Sequence, residues 1–223
     1  MNPFQRIIDT LSNAFSILDF SYTVSGGATL AVVLFDWCYV HQNNMEWLLK
    51  YGWLLTIVCA VFAVYLLGLL SWSFGKFARQ HALAWIMMKS DFTTIYKNTV
   101  SSIRKNEKNA FFPLENSSSL SYESMWIELE RIEKAAQRLK FIHRFWVMQA
   151  VYEGLVATWI LAIAVSIDWW NTDADLTLWN LCLVIVVLAL LIWRCCKEAQ
   201  SCAETQIKEI ILSYYIYTKK IIS

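Results

Sequence analysis

Charge is what this sequence has least of. Only 17% of its 223 residues are Asp, Glu, Lys or Arg, where a soluble globular chain carries about 25%. Hydrophobic residues make up 57% and aromatics 15%, and the mean hydropathy is +0.41, so lipid must form part of the solvent. Two prolines and six glycines exclude collagen-like and Gly/Pro-rich disordered chains. Nineteen basic and eighteen acidic residues leave a formal charge of +1, which gives no global argument for a nucleic-acid partner. The six cysteines, Cys38, Cys59, Cys182, Cys195, Cys196 and Cys202, contain no Cys-x-x-Cys pair. A disulfide framework or a cysteine zinc site is therefore not expected. Walker A, G-x-S-x-G, H-E-x-x-H and cofactor fingerprints are all missing. The sequence is read as non-enzymatic, with no catalytic residue, no cofactor and no metal site.

What is present is a set of long apolar runs. A membrane helix needs roughly 20 mainly apolar residues, because each rises about 1.5 Å through a core about 30 Å thick. Four stretches qualify: Thr23 to Val40, Trp53 to Trp72, Val147 to Ile167 and Leu176 to Trp193. They form two hairpins, with connections from His41 to Gly52 and from Asp168 to Asp175. The fold class that follows is an all-α membrane protein, two transmembrane hairpins with helical cytoplasmic extensions. No cleavable signal sequence is expected, and the first span is read as retained.

Basic residues set the orientation. Twelve lysines and arginines lie between Gly75 and Trp146, five follow the last span, and the two hairpin turns hold only Lys50. The positive-inside rule then places both termini and the central segment in the cytoplasm, with the hairpin turns facing outward. Trp47, Trp53, Trp169, Trp170 and Trp179 fall near the outer boundary and Trp72, Trp146 and Trp193 near the inner one, as an aromatic belt should. The expected organisation is 1–22 as an amphipathic interfacial helix, 23–72 and 147–193 as the hairpins, 73–146 as a cytoplasmic helical segment and 194–223 as a cytoplasmic C-terminal helix.

Pro3 at the first helical position, followed by Phe4, Ile7, Ile8, Leu11, Phe15 and Leu18 on one face, suits an in-plane helix. Ser25, Gly26 and Gly27 are expected to form the corner into the first span. Phe74 to Lys97 reads as an extension of the second span and Asn98 to Ser119 as a loop. From Ser121 a helix is expected to run unbroken to about Ile167. Its three- and four-residue steps through Tyr122, Met125, Leu129, Ile132, Ala136, Leu139, His143 and Trp146 make a heptad seam. Beyond the fourth span, Ile207, Ile210, Ile211, Tyr214 and Ile221 mark one face.

Glu153, about two turns inside the third span, is the most informative residue, because a charge there costs a few kcal/mol or more unless paired, protonated or hydrated. With Gln149 one turn earlier and His143 on the seam, it suggests a polar stripe in a bundle interior or a water-filled passage; a snorkelling Glu is the plain alternative. Asp36, near the outer end of the first span, suits snorkelling or an interhelical hydrogen bond. Gly27 with Ala31, and Ala150 with Gly154, are small residues four apart that allow close helix approach. Cys195 and Cys196 could be acylated, but small residues packed at a helix end are favoured. Arg104, Lys105 and Lys108 form a basic cluster, read first as attraction to anionic lipid and second as a docking site for an acidic protein or nucleic acid. Direct nucleic-acid binding is not expected. A seam on a stalk and polar groups in thin spans both call for a partner, so homo-oligomerisation is expected.

The layout resembles KwaA-like four-span membrane subunits of bacterial Kiwa anti-phage systems, by size, span count and arrangement of the whole chain. That resemblance implies an inner-membrane oligomer that senses phage-induced perturbation and acts with a cytosolic DNA-binding partner. Arg138 and His143, as Arg-x-x-x-x-His, match the spacing of HEPN ribonuclease motifs and resemble membrane accessories of RNA-targeting systems, although a seam position suits a structural or pH-responsive His143 better. Three functions follow as expectations: a sensor or scaffold that detects membrane perturbation and relays it to a cytosolic protein partner, a depolarising pore lined by Glu153, and a HEPN-like ribonuclease accessory.

Overall fold

A computed structural model describes residues 17–42, 52–82, 92–106, 122–172 and 177–222. Among these residues every regular element is helical: α1 (Ile17–Phe35), α2 (Trp53–Phe77), α3 (Phe92–Asn106), α4 (Tyr122–Glu130), α5 (Ala136–Thr172) and α6 (Leu178–Ile222). Short π turns, Asp36–Val40 and Ala78–Ala82, follow α1 and α2, and a 3-10 turn, Glu133–Ala135, precedes α5. Four segments are long and apolar enough to cross a membrane: Phe20–Val40, Trp53–His81, Glu133–Thr172 and Leu178–Tyr217. This is the expected class, a four-span all-α membrane protein. The chain divides into two compact units, Met1–Met87 with Val147–Ala199, and Met88–Trp146 with Gln200–Ser223. Helices α5 and α6 contribute residues to both.

In the first unit the spans meet backbone to backbone. A Cβ on Gly26 would lie 1.8 Å from the carbonyl oxygen of Val64, and one on Gly68 would lie 2.0 Å from that of Tyr22. No side chain fits between α1 and α2 at either place. Lipid tails are as apolar as leucine, so helices in a bilayer associate through close van der Waals approach and hydrogen bonds rather than apolar burial. Tyr22 adds ring contacts with Tyr65 and Trp72, with centroids 5.9 and 5.7 Å apart. Val156 of α5 and Cys195 and Cys196 of α6 pack with Ala78 in a small buried cluster. The two cysteines are packing residues, as favoured from the sequence, but they lie in the interior of α6 rather than at a helix end.

The second unit is packed around large apolar side chains. Ile95 of α3, Met125 and Leu129 of α4, Ala135, Ile142 of α5, and Ile210, Ile211 and Tyr214 of α6 are buried together, with Tyr122, Ile132, Leu139 and Ile207 packed against them. The face read from the last segment therefore meets the seam within one chain.

Several expectations are corrected. The helix from Ser121 to Ile167 is not continuous: Ile132 has φ −98° and ψ 103°, an extended backbone that separates α4 from the 3-10 turn and α5. The break shifts the buried positions by one residue, so Ala135 and Ile142 are buried while Ala136 is exposed and His143 only partly covered. Ser25, Gly26 and Gly27 form no corner, because α1 runs straight through them. Residues 17–22 accordingly belong to the helix of the first span rather than to a separate interfacial element; the rest of the expected amphipathic helix lies outside the described residues. Asn98 to Asn106 are helical rather than loop, since α3 continues to Asn106. The turn expected at Asp168 starts later, because α5 reaches Thr172. The small pair Gly27 and Ala31 does not mediate the contact: a Cβ on Gly27 meets nothing within 4 Å and Ala31 is exposed, while neighbouring Gly26 faces α2.

Candidate functional site

The first unit gathers its polar side chains at two levels. At one of them Glu153 is 2% exposed, and both carboxylate oxygens are occupied by protein donors. Oε1 accepts from Arg79 Nη2 at 2.6 Å, Arg79 Nε at 3.0 Å and Gln149 Nε2 at 2.9 Å, and Oε2 accepts from Trp72 Nε1 at 3.0 Å. The two guanidinium nitrogens converge on one oxygen, which leaves the other for the indole. Arg79 is itself 15% exposed, so the pair is largely desolvated.

Three elements build this node. Glu153 and Gln149 are one turn apart on α5. Trp72 is on the last turns of α2. Arg79 stands in the π turn Ala78–Ala82, where the wider turn carries the chain past the helix end. Gly75 makes room: a Cβ there would lie 1.7 Å from the Glu153 carbonyl oxygen, so α2 and α5 touch directly beneath the pair. A buried carboxylate needs a countercharge and a full set of donors, and the arrangement supplies both within a single chain.

The second level is a chain of hydroxyls. Thr29 Oγ1 of α1 lies 2.8 Å from both Ser71 Oγ of α2 and Thr158 Oγ1 of α5, and also 2.9 Å from the Ser25 carbonyl oxygen. One hydroxyl offers one proton and two lone pairs, so Thr29 can satisfy three neighbours at once. Ser25 Oγ donates to the Ser21 carbonyl at 3.0 Å. All five residues are buried. These residues find their partners within one chain.

The structure brings Gln149 and Glu153 together as read from the sequence, but His143 is turned elsewhere, edge-on to Trp146 with centroids 5.2 Å apart. Arg138 pairs with Glu209 of α6 and lies over the Phe141 ring. It is held in a structural contact on its own helix face. Of the seam residues, Met125 and Leu129 are core, and Ile132 and Leu139 pack at its edge. Arg104 and Lys105 are exposed at the end of α3, where cations suit the helix dipole; Lys108 lies outside the described residues. Arg79 and Trp72 were missed as site residues. One was counted only toward orientation and the other toward the aromatic belt, although a deep acid one turn past Gln149 does call for a cation within reach.

Four membrane-crossing helices with a buried, fully bonded ion pair define the class. Comparison with known proteins finds no family model, curated protein or solved structure that matches this chain.

Proposed function

We propose that the protein is a membrane-embedded sensor that responds to bilayer perturbation and relays the change to a cytosolic protein partner. The observation that carries this reading is the Glu153 node. Removing one member of a buried ion pair costs about 3–5 kcal/mol because the other charge is left uncompensated. Such a node has discrete made and broken states rather than a graded one. It joins two spans, α2 and α5, whose relative tilt responds to hydrocarbon thickness at fractions of a kcal/mol per ångström. Summed over several spans, that energy biases a two-state element. The four-span layout with a helical, basic cytoplasmic part, similar to Kiwa membrane subunits, supports antiviral membrane surveillance as the setting, with an inner-membrane location, both termini inside, and action as a homo-oligomer.

The burial of Glu153 among donors favours this reading over a water-lined path through the same residue. The test is reconstitution in bilayers of short- and long-chain phosphatidylcholine, with hydrogen exchange read over residues 122–135 and 207–217. Exchange in the wild-type protein should depend on lipid length and that of Glu153→Gln should not. Exchange independent of lipid length would overturn the sensor. Currents in planar bilayers altered by Glu153→Gln would transfer support to the pore.

A further inference from the structure

Away from the Glu153 node, a second cluster joins α1 to α5 at the other end of the spans. Asp36 opens the π turn after α1, His41 follows its last residue, and Asp168 lies in the last turns of α5. One carboxylate oxygen from each Asp and one imidazole nitrogen all lie within 4.8 Å of one another. We propose that Asp36, His41 and Asp168 form a binding site for a divalent transition-metal ion, Zn²⁺ being the best match to two carboxylates and an imidazole.

Three observations carry the proposal. First, His41 is turned with Nδ1 3.3 Å from the backbone carbonyl oxygen of Asp36, an acceptor, and with Nε2 toward Asp168. A ring nitrogen donating to a backbone carbonyl while the other faces outward is how metal-bound histidines are oriented.

Second, His41 Nε2 lies 3.5 Å from Asp168 Oδ2. A charge-assisted hydrogen bond would draw the two to about 2.7–2.9 Å. Bonds of about 2.0–2.1 Å to one tetrahedral zinc ion separate neighbouring ligand atoms by about 3.3 Å, close to the His41–Asp168 spacing, while the three ligand atoms together lie within 4.8 Å.

Third, Asp36 Oδ1 is shielded from solvent and has no hydrogen-bond partner, although the side chain as a whole is 32% exposed. His41 Nδ1 lies 3.8 Å from this oxygen, too far for a hydrogen bond, so a lone pair there is open to a cation. The π turn makes the site, because His41 N–H bonds back to the Asp36 carbonyl at 3.1 Å and so folds the ring over the acid five residues earlier. Stacking of Phe35 on Tyr39, and both against Trp169 (5.6 and 5.7 Å), holds the two helix ends together. The fourth position is left to water, since His41 and Asp168 are each nearly half exposed. The sequence expectation of no metal site did not include this set, because Asp168 is far from the other two in the chain.

The test is titration of the full-length, detergent-solubilised protein with Zn²⁺ by calorimetry and with Co²⁺ by visible absorption. One ion per chain should bind, with the strong visible band of low-coordinate Co²⁺. His41→Gln and Asp168→Asn should each weaken binding by at least about tenfold, with unchanged helical circular dichroism, while His81→Gln and His143→Gln leave it intact. Absence of heat and of a visible band at millimolar metal would overturn the proposal. So would unchanged binding in a triple variant of Asp36, His41 and Asp168, or loss of binding on changing His81 or His143.

Discussion

The two units solve the same packing problem with different materials. All six glycines fall in the unit Met1–Met87 with Val147–Ala199, and the other unit, Met88–Trp146 with Gln200–Ser223, has none. The first unit also buries Ser21, Ser25, Thr29, Ser71, Thr158 and Glu153, whereas the second buries only Gln206 and Ser213 as polar residues among those described. Its core is instead Met125, Leu129, Ile142, Ile210 and Ile211. In water, removing large apolar side chains from solvent drives helices together at about 25 cal/mol per Å². In lipid that gain is missing, and close backbone approach with satisfied hydrogen bonds takes its place. The first unit thus packs through glycines and hydroxyls, the second through leucine, isoleucine and methionine.

The sharpest way to break this contrast is Gly75→Val. A Cβ there collides with the Glu153 backbone, so the spans should fail to assemble, read as loss of a monodisperse species in size-exclusion chromatography, whereas Gly27→Ala should behave as wild type. Next, Arg79→Met should destabilise the first unit by about 3–5 kcal/mol, and Arg79→Met with Glu153→Leu should recover much of the loss, because a buried pair replaced as a whole is often neutral. Thermal unfolding in detergent checks both. Leu129→Ala should cost about 2–5 kcal/mol, lost from the second unit alone, as seen by hydrogen exchange.

A pH titration probes the second unit through Tyr122. Burial pushes its phenol up to about 12, against a smaller downward effect of the Gln206 side chain that bonds it. The neutral phenol is favoured in the folded state, so this contribution is complete below about pH 10 and is lost as pH rises toward about 12; ultraviolet absorption of tyrosinate should appear late in wild type and be smaller in Tyr122→Phe. The smallest effect is expected of Thr29→Val, about 0.6 kcal/mol, the mean for hydrogen bonds between membrane helices, measured in the same unfolding assay as Arg79→Met.

How much of this was legible in the sequence follows from the range of each interaction. The four spans depend on local hydropathy and were located as four, but the helices run well past the ends read at Trp72, Val147 and Trp193, to His81, Glu133 and Tyr217. Gln149 and Glu153 are one turn apart on one helix, so their meeting was visible. Arg79 and Trp72 are 74 and 81 residues from Glu153, and no periodicity reports a partner at that distance. The seam was read correctly through Leu129 and then lost its register at Ile132, because a single extended residue interrupts a pattern that assumes an unbroken helix. Gly26 and Gly27 are equivalent by composition, and only the direction of α2 distinguishes the glycine in contact from the one facing open space.

Two tryptophan and lysine pairs have a mechanical consequence. On α2 the ammonium of Lys76 sits 5.2 Å from the Trp72 ring, and on α6 that of Lys197 sits 5.1 Å from the Trp193 ring. Each is a ring that prefers the headgroup level followed one turn later by a cation that must stay wet. A ring and a cation so placed would each resist being drawn away from a membrane surface, whereas Trp53 and Trp179, at the other ends of α2 and α6, are 72% and 77% uncovered.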